Sequence, residues 1–294
     1  MQLLLFLLVY PIIWFFSILP LPVLYKISDF FYYLVYYVFG YRKEVVNNNL
    51  KIAFPDKDEK EIIKIQKKFY RHFIDIFIEM LKSFTISEKN LKNRYTFKNI
   101  EVIQNIVNNG QSIILMGSHY ANWEWIFILN TYVDCLGVAA YSRIQNKYFD
   151  KVIRKSRGRF GTALQTTGRL ITFLEENKKK NITAIYGLLS DQSPMVYKTR
   201  YWRAFFGVKV PVHTGAEYLA KRNDFAVVMM KTKKIKRGFY ETEFKVLTKN
   251  PKNYQDYEIT DMFLDNVEQQ IKEKPEFYMW SHRRFKHKDK APKN

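Results

Sequence analysis

Cysteine is almost missing from this chain: Cys135 stands alone among 294 residues. A single thiol excludes a disulfide framework within the chain and any zinc site built from thiolates. Its setting, the apolar-to-turn stretch VDCLGVAAY, reads as a buried structural position. Acidic residues are also scarce, 28 against 48 Lys and Arg, for a formal net charge of +20. That balance implies an anionic partner: nucleic acid, anionic lipid or an acidic protein. No internal repeat is visible. Charge is absent altogether from Met1–Leu19, MQLLLFLLVYPIIWFFSIL. The first basic residue is Lys26, so no basic region precedes this apolar run, and no small-residue cleavage site follows it. A cleaved signal peptide is not expected.

What is present is an apolar content of 47%, enough for a full core, and an aromatic content of 17% that gathers toward the N-terminus. At ~1.5 Å rise per residue the uncharged run approaches the ~30 Å hydrocarbon layer of a bilayer. Pro11 is expected to kink it. A second run, Phe30–Tyr41 (FFYYLVYYVFGY), is dense in residues that favour the headgroup level. Two arrangements are open: a spanning helix followed by an interfacial one, or a helical hairpin dipping into one leaflet. Lys26, Arg42 and Lys43 close these runs and put the body of the protein on the cytoplasmic side.

Downstream, Lys57–Phe84 carries an apolar stripe at helical spacing (Ile62, Ile65, Phe69, Phe73, Ile76, Met80), with Asp56 or Asp58 available as N-cap. His72 lies on this stripe and reads as structural. Thr96–Gly110 predicts another helix ending at Gly110. Strands are expected at 112–117, 137–141, 182–190 and 225–232, separated by helical patterns at 122–132, 146–157, 168–177 and 214–221. Residues 239–248 alternate in period two and suggest an antiparallel strand added at one edge. The expected fold is α/β: a central, mostly parallel mixed sheet flanked by helices, with an N-terminal apolar membrane-anchoring segment. The expected division is anchor 1–41, catalytic domain 42–285 and a mobile polar tail 286–294.

Four segments carry chemistry. In Ser112–Glu124, SIILMGSHYANWE, an apolar strand runs into His119, and Glu124 follows five residues later. Ligands of open α/β sheets bind beyond the carboxyl ends of strands. If a helix begins near Ala121, Glu124 can reach back to fix the imidazole, and His119 can act as a general base. In Tyr141–Gly161, YSRIQNKYFDKVIRKSRGRFG, Arg143, Arg157 and Arg159 offer forks for phosphate, against the plainer reading of a solvated basic helix face. In Leu188–Pro194, LLSDQSP, a second apolar strand ends in Asp191 and Gln192; that acid belongs near the first site if the two strands are neighbours, or else forms an Asx turn. Tyr278–Lys286, YMWSHRRFK, combines aromatics with His282, Arg283 and Arg284, suited to a lipid phosphate or an acidic carrier. Nucleic acid is the rival partner for such a segment, and the apolar N-terminus argues against it.

These segments resemble, in order, the motifs of the bacterial lipid A biosynthesis acyltransferases, the late or secondary branch of the lysophospholipid acyltransferase superfamily. GSHYANWE is similar to their G-H-x-G-N-W-E block, with Ala121 where they carry Gly. The 141–161 stretch is similar to their Y-R-x-x-x-N-P block followed by R-x-R, but Ser142 separates Tyr141 from Arg143, and Asn146 is followed by Lys147 where Pro is usual. SDQSP with FFG and GAEYLA, and YMWSHRRFK, are similar to two further blocks. The F-P-E-G block of the glycerol-phosphate branch is missing, which weighs against a lysophosphatidate substrate. The resemblance implies His119 as general base with Glu124 as its partner, and Arg157, Arg159 and Asp191 at the acceptor or reacting centre. It also implies acyl carrier protein as donor, a lipid A precursor as acceptor, no metal or organic cofactor, and work at the cytoplasmic face of the inner membrane. Two alternatives remain: transfer to another membrane lipid, such as an ornithine or aminolipid, and a non-catalytic membrane-binding relative.

Overall fold

A computed structural model of the chain describes residues 1–292. The uncharged start forms a helix that fills the run almost to its end. Helix α1 spans Gln2–Ile18, with Pro11 inside it, and α2 spans Leu21–Tyr33 before passing into a π-turn at Leu34–Val38. Between them Leu19 and Pro20 are extended, with ψ of 146° and 142°, because proline disfavours helical geometry in the residue before it. Seventeen residues reach only about 25 Å at the helical rise. Among the described residues no helix is long and apolar enough to cross a membrane. Both α1 and α2 pack against a later helix, Glu59–Lys82 (α4), while Leu4, Leu8, Ile12 and Phe15 of α1 and Phe30 of α2 stay exposed.

Helix α3 spans Lys43–Ala53 and α4 spans Glu59–Lys82. The start of α4 is a full capping box: the Asp58 carboxylate accepts from Glu61 N at 2.8 Å, and the Glu61 carboxylate accepts from Asp58 N at 3.3 Å. Ile62, Phe69, Phe73 and Ile76 are buried, as the stripe predicts. His72 is buried too, with Nδ1 3.1 Å from Lys234 Nζ. Burial and that lysine's charge hold its pKa well below the ordinary range, which fits the structural reading.

After α5 (Glu88–Lys92), the stretch expected as one helix divides into strand β1 (Tyr95–Phe97) and helix α6 (Glu101–Asn108), with Gly110 closing it at φ +77°. The remaining elements are β2 (Ile113–Gly117), β3 (Leu136–Tyr141), α7 (Lys147–Arg157), β4 (Ala163–Thr166), α8 (Leu170–Lys179), β5 (Ala184–Leu189), β6 (Tyr201–Phe205), β7 (Val208–Val212), α9 (Gly215–Asn223), β8 (Ala226–Lys236), β9 (Phe239–Thr248) and α10 (Glu258–Glu273).

Seven strands form one sheet in the order β1-β9-β8-β2-β5-β3-β4, parallel at every pair except β8–β9. The mostly parallel mixed sheet flanked by helices is the expected fold. β9 is antiparallel as its alternation predicts, but it is not an edge: β1 pairs along its outer side. β6 and β7 form a separate hairpin whose turn, Phe206–Gly207, has positive φ at both residues, as a two-residue type I′ connection requires. Strand β2 is buried on both faces, Ile114 and Met116 on one side and Ile113 and Leu115 on the other, which is the pattern of a central parallel strand. Of the expected tail, Lys288–Lys290 forms a 3-10 turn near β7; residues 293 and 294 lie outside the described residues.

Candidate active site

The site follows from one register. β2 and β5 are parallel neighbours, with Gly117 opposite Leu189. Two residues beyond each partner stand His119 and Asp191. Nδ1 of His119 lies 2.8 Å from Oδ1 of Asp191. Asp191 is fully buried, while the His119 side chain is 19% exposed. Burial alone would lower the His119 pKa, but the Asp191 carboxylate, through charge and hydrogen bond, and the Glu124 charge outweigh it and raise the value above 6.5. Burial would raise the Asp191 carboxyl, but the His119 ring against it holds it below 3.8. Nδ1–H therefore donates to Asp191. Nε2 has no hydrogen-bond partner among the described residues, and in this tautomer its lone pair is free.

The segment after His119 is not the expected helix. Ala121 takes the left-handed conformation at φ +52°. Asn122 then closes an Asx turn, its Oδ1 accepting from Glu124 N at 3.0 Å and Trp125 N at 2.9 Å. A 3-10 turn follows at Trp125–Thr131. This path carries Glu124 away from the imidazole and onto Arg157, which grips it with Nε at 3.0 Å and a terminal nitrogen at 2.5 Å. The carboxylate in contact with His119 is that of Asp191; Glu124 acts on the ring through its charge. The edge of Trp123 meets the His119 ring at 5.3 Å between centroids. Ala121 predicts a mutational signature. A non-glycine residue in left-handed geometry costs roughly 1–2 kcal/mol, so Ala121→Gly should leave thermal stability within about 1 kcal/mol of the parent, despite a lost methyl and a more flexible unfolded chain. Ala121→Val, β-branched at positive φ, should cost at least about 2 kcal/mol; denaturant unfolding of both checks this.

The other candidate residues divide. Arg159 is committed to the Ser83 and Ile86 carbonyls, at 2.7 and 2.9 Å. Arg143 is exposed and lines a groove with Lys147, Lys151, Arg154 and Lys155. Gln192 is half-buried beside Asp191, and Arg283 is exposed. Arg284 is interior: it donates to Ser193 Oγ at 2.9 Å and to the Pro211 carbonyl at 3.1 Å, and lies over the Phe205 ring. The C-terminal block as a whole clamps the site. Met279 N donates to the His119 carbonyl at 3.0 Å and Ala121 N to the Phe277 carbonyl at 2.9 Å, around a bridge between Tyr120 and Tyr278. His282 Nε2 accepts from Ser193 N at 3.3 Å, on the loop that carries Asp191. Burial first, then the charges of Lys286 and Arg284, push the His282 pKa down to about 4, so the ring stays neutral and able to accept. Ser193 and His282 were not foreseen in these roles. The cue was that His282 sits in an aromatic block with no helical or strand period of its own. The Cys135 thiol is pushed up to about 11 by burial and the Asp134 charge, consistent with an inert position.

Next to the pair Glu124–Arg157 a narrow crevice of about 30 Å³ is lined by Met80, Phe84, Leu91, Trp125, Phe127 and Phe160. Its wall is apolar apart from this ion pair and two serines. Among the described residues no group of three His, Cys, Asp or Glu is placed to hold a metal ion.

The model of the family described as bacterial lipid A biosynthesis acyltransferase matches residues 1–287. A search of curated proteins gives no match.

Proposed function

The chain belongs to the bacterial lipid A biosynthesis acyltransferase family, and on that footing we propose that it moves a fatty acyl chain from acyl carrier protein to a hydroxyl of a lipid A precursor. The observation that carries the chemistry is the His119–Asp191 pair, 2.8 Å apart at the ends of two neighbouring parallel strands. With Nδ1–H on Asp191, Nε2 takes the proton of the acceptor hydroxyl as its oxygen attacks the thioester carbonyl. The tetrahedral intermediate collapses, the C–S bond breaks, and the proton on Nε2 passes to the leaving thiolate. Asp191 stays ionised throughout and stabilises the imidazolium that forms. Base catalysis of this kind supplies about 10²–10⁴-fold in rate.

The surroundings support these substrates. The apolar lining at Trp125 and Phe127 matches the character of an acyl chain, which would have to widen a crevice of about 30 Å³, and the ion pair of Glu124 with Arg157 holds one wall of it. The groove of Arg143, Lys147, Lys151, Arg154 and Lys155 suits an acidic carrier or a lipid phosphate, since none of these five forms an ion pair among the described residues. Arg283 and Gln192 are open to the same ligands. The exposed apolar residues of α1 and α2 suit one leaflet at the cytoplasmic face of the inner membrane, with Lys26, Arg42 and Lys43 at its headgroups.

The test is transfer of radiolabelled acyl chain from acyl carrier protein, in detergent micelles, to a tetra-acylated lipid A precursor and, in parallel, to an ornithine lipid. Labelled lipid A product is the expected result. Labelling of the ornithine lipid alone would replace the acceptor, and a donor requirement met only by another thioester would replace the carrier.

A further inference from the structure

Glu79 is a buried acid near the end of α4, on the face that also carries His72 and Asp75. Its carboxylate accepts three hydrogen bonds: Tyr25 O–H at 2.8 Å from α2, Tyr240 O–H at 2.8 Å from β9, and Asn122 Nδ2 at 2.7 Å. Its backbone carbonyl also accepts from the Trp125 indole N–H at 3.3 Å. Asp75 on α4 and Lys234 on β8 face it as well, and burial, only partly offset by Lys234, pushes its pKa up to about 7. A buried carboxylate is expensive even when fully hydrogen-bonded, and an apolar residue of similar size would generally be the more stable choice. Its presence calls for a positional reason.

That reason is the other end of Asn122. The amide nitrogen is held by Glu79, so the amide oxygen is the end that faces the chain, and it closes the turn through Glu124 N and Trp125 N. This turn follows directly on Ala121 and decides where His119, Trp123 and Glu124 point. We propose that Glu79 is a positioning residue of the acyl-transfer site, fixing the amide of Asn122 so that residues 119–125 hold one conformation. The proposal rests on the reading of His119 as base. It goes beyond that reading because Glu79 lies outside every motif of the site and touches no substrate. By the same network the site is tied to α2 through Tyr25 and to the β8–β9 hairpin through Tyr240.

The test exchanges the two polar groups. Glu79→Leu leaves the Asn122 nitrogen with no acceptor, and Asn122→Asp sets a second carboxylate against the first. Each single variant breaks the bond. The double variant Glu79→Gln/Asn122→Asp restores it with donor and acceptor reversed, the Tyr240 hydroxyl turning to accept, while the new carboxylate at position 122 still accepts from the two backbone N–H groups. Misplacement of reacting groups by about 1 Å costs on the order of 10²-fold. Each single variant should lose about 10- to 100-fold in kcat, with KM for the acyl donor little changed, and the double variant should recover to within about fivefold of the parent. Single variants that keep the parental kcat overturn the proposal, as does a double variant that remains inactive or unfolded. The parent enzyme run beside them separates the outcomes: if the parent transfers no acyl chain, the functional reading fails, whereas an active parent with no rescue in the double variant removes only the role of Glu79.

Discussion

Asp191→Asn lowers kcat for acyl transfer by about 10³–10⁴-fold and leaves the fold standing. The amide that replaces the carboxylate can present its NH₂ to Nδ1, which drives the ring proton to Nε2 and removes the lone pair that the reaction needs. Asparagine also withdraws the charge that stabilises the imidazolium. The pH dependence separates this from a packing defect. The base works only when neutral, so kcat/KM rises with pH through the His119 pKa, which Asp191 and Glu124 together raise above 6.5. Without Asp191 the midpoint moves to lower pH while the plateau falls. Stability shifts in step. The raised His119 value contributes stability that is full below 6.5 and is lost as pH rises through its folded value. The lowered Asp191 value contributes stability present above 3.8 and lost as pH falls through its folded value. The pair thus stabilises most between these limits, and unfolding of Asp191→Asn should show a flatter pH profile outside that window, where the parent loses the contribution. Rates measured from about pH 5 to 9 span the change in His charge.

Glu124→Gln and Arg157→Met should produce the same large loss, about 10²-fold in transfer, and the double variant should be no worse than either. The two groups share a bidentate contact, with Glu124 10% and Arg157 25% exposed. Removing one partner strands the other's charge at the wall of the crevice, which costs roughly 2–4 kcal/mol, toward the lower side for such pairs because Arg157 is partly solvated. Removing both leaves no orphan, so the coupling between the sites should reach about 1–3 kcal/mol. The acid limb distinguishes the single variants. Glu124→Gln deletes a charge that raises the His119 pKa, and its midpoint falls. Arg157→Met leaves that carboxylate unneutralised, so its midpoint holds or rises. If Glu124 were instead the direct partner of His119, Arg157→Met would leave transfer near the parental rate.

Much of the sheet was legible because it is central. Strands β2, β3, β5 and β8 are apolar runs bounded by turns, and burial on two faces writes itself into composition. The strand ends were legible for the same reason, and Asp191 was anticipated near His119 on the condition that β2 and β5 are neighbours, which the register fulfils. What could not be read was which acid touches the imidazole. That choice depends on the left-handed turn at Ala121 and on Asn122, and alanine gives no local signal for positive φ. Short elements were hidden by their length: β1 has three residues and β4 four, too few to show a period. The end of α1 at Ile18 follows from Pro20, whose effect on Leu19 is local, and lies one residue inside the uncharged run that closes at Leu19. Arg159 and Arg284 resembled ligand forks in sequence and prove to be braces, because an arginine in a loop can satisfy carbonyls as readily as phosphates.

The central claim is that His119 is the base of an acyl transfer. The measurement that bears on it most directly is single-turnover transfer from acyl carrier protein to the lipid A precursor, comparing the parent with His119→Ala at saturating substrate. The account predicts that His119→Ala binds donor and acceptor as the parent does and transfers about 10²–10⁴-fold more slowly. Equal single-turnover rates in the two proteins would contradict it.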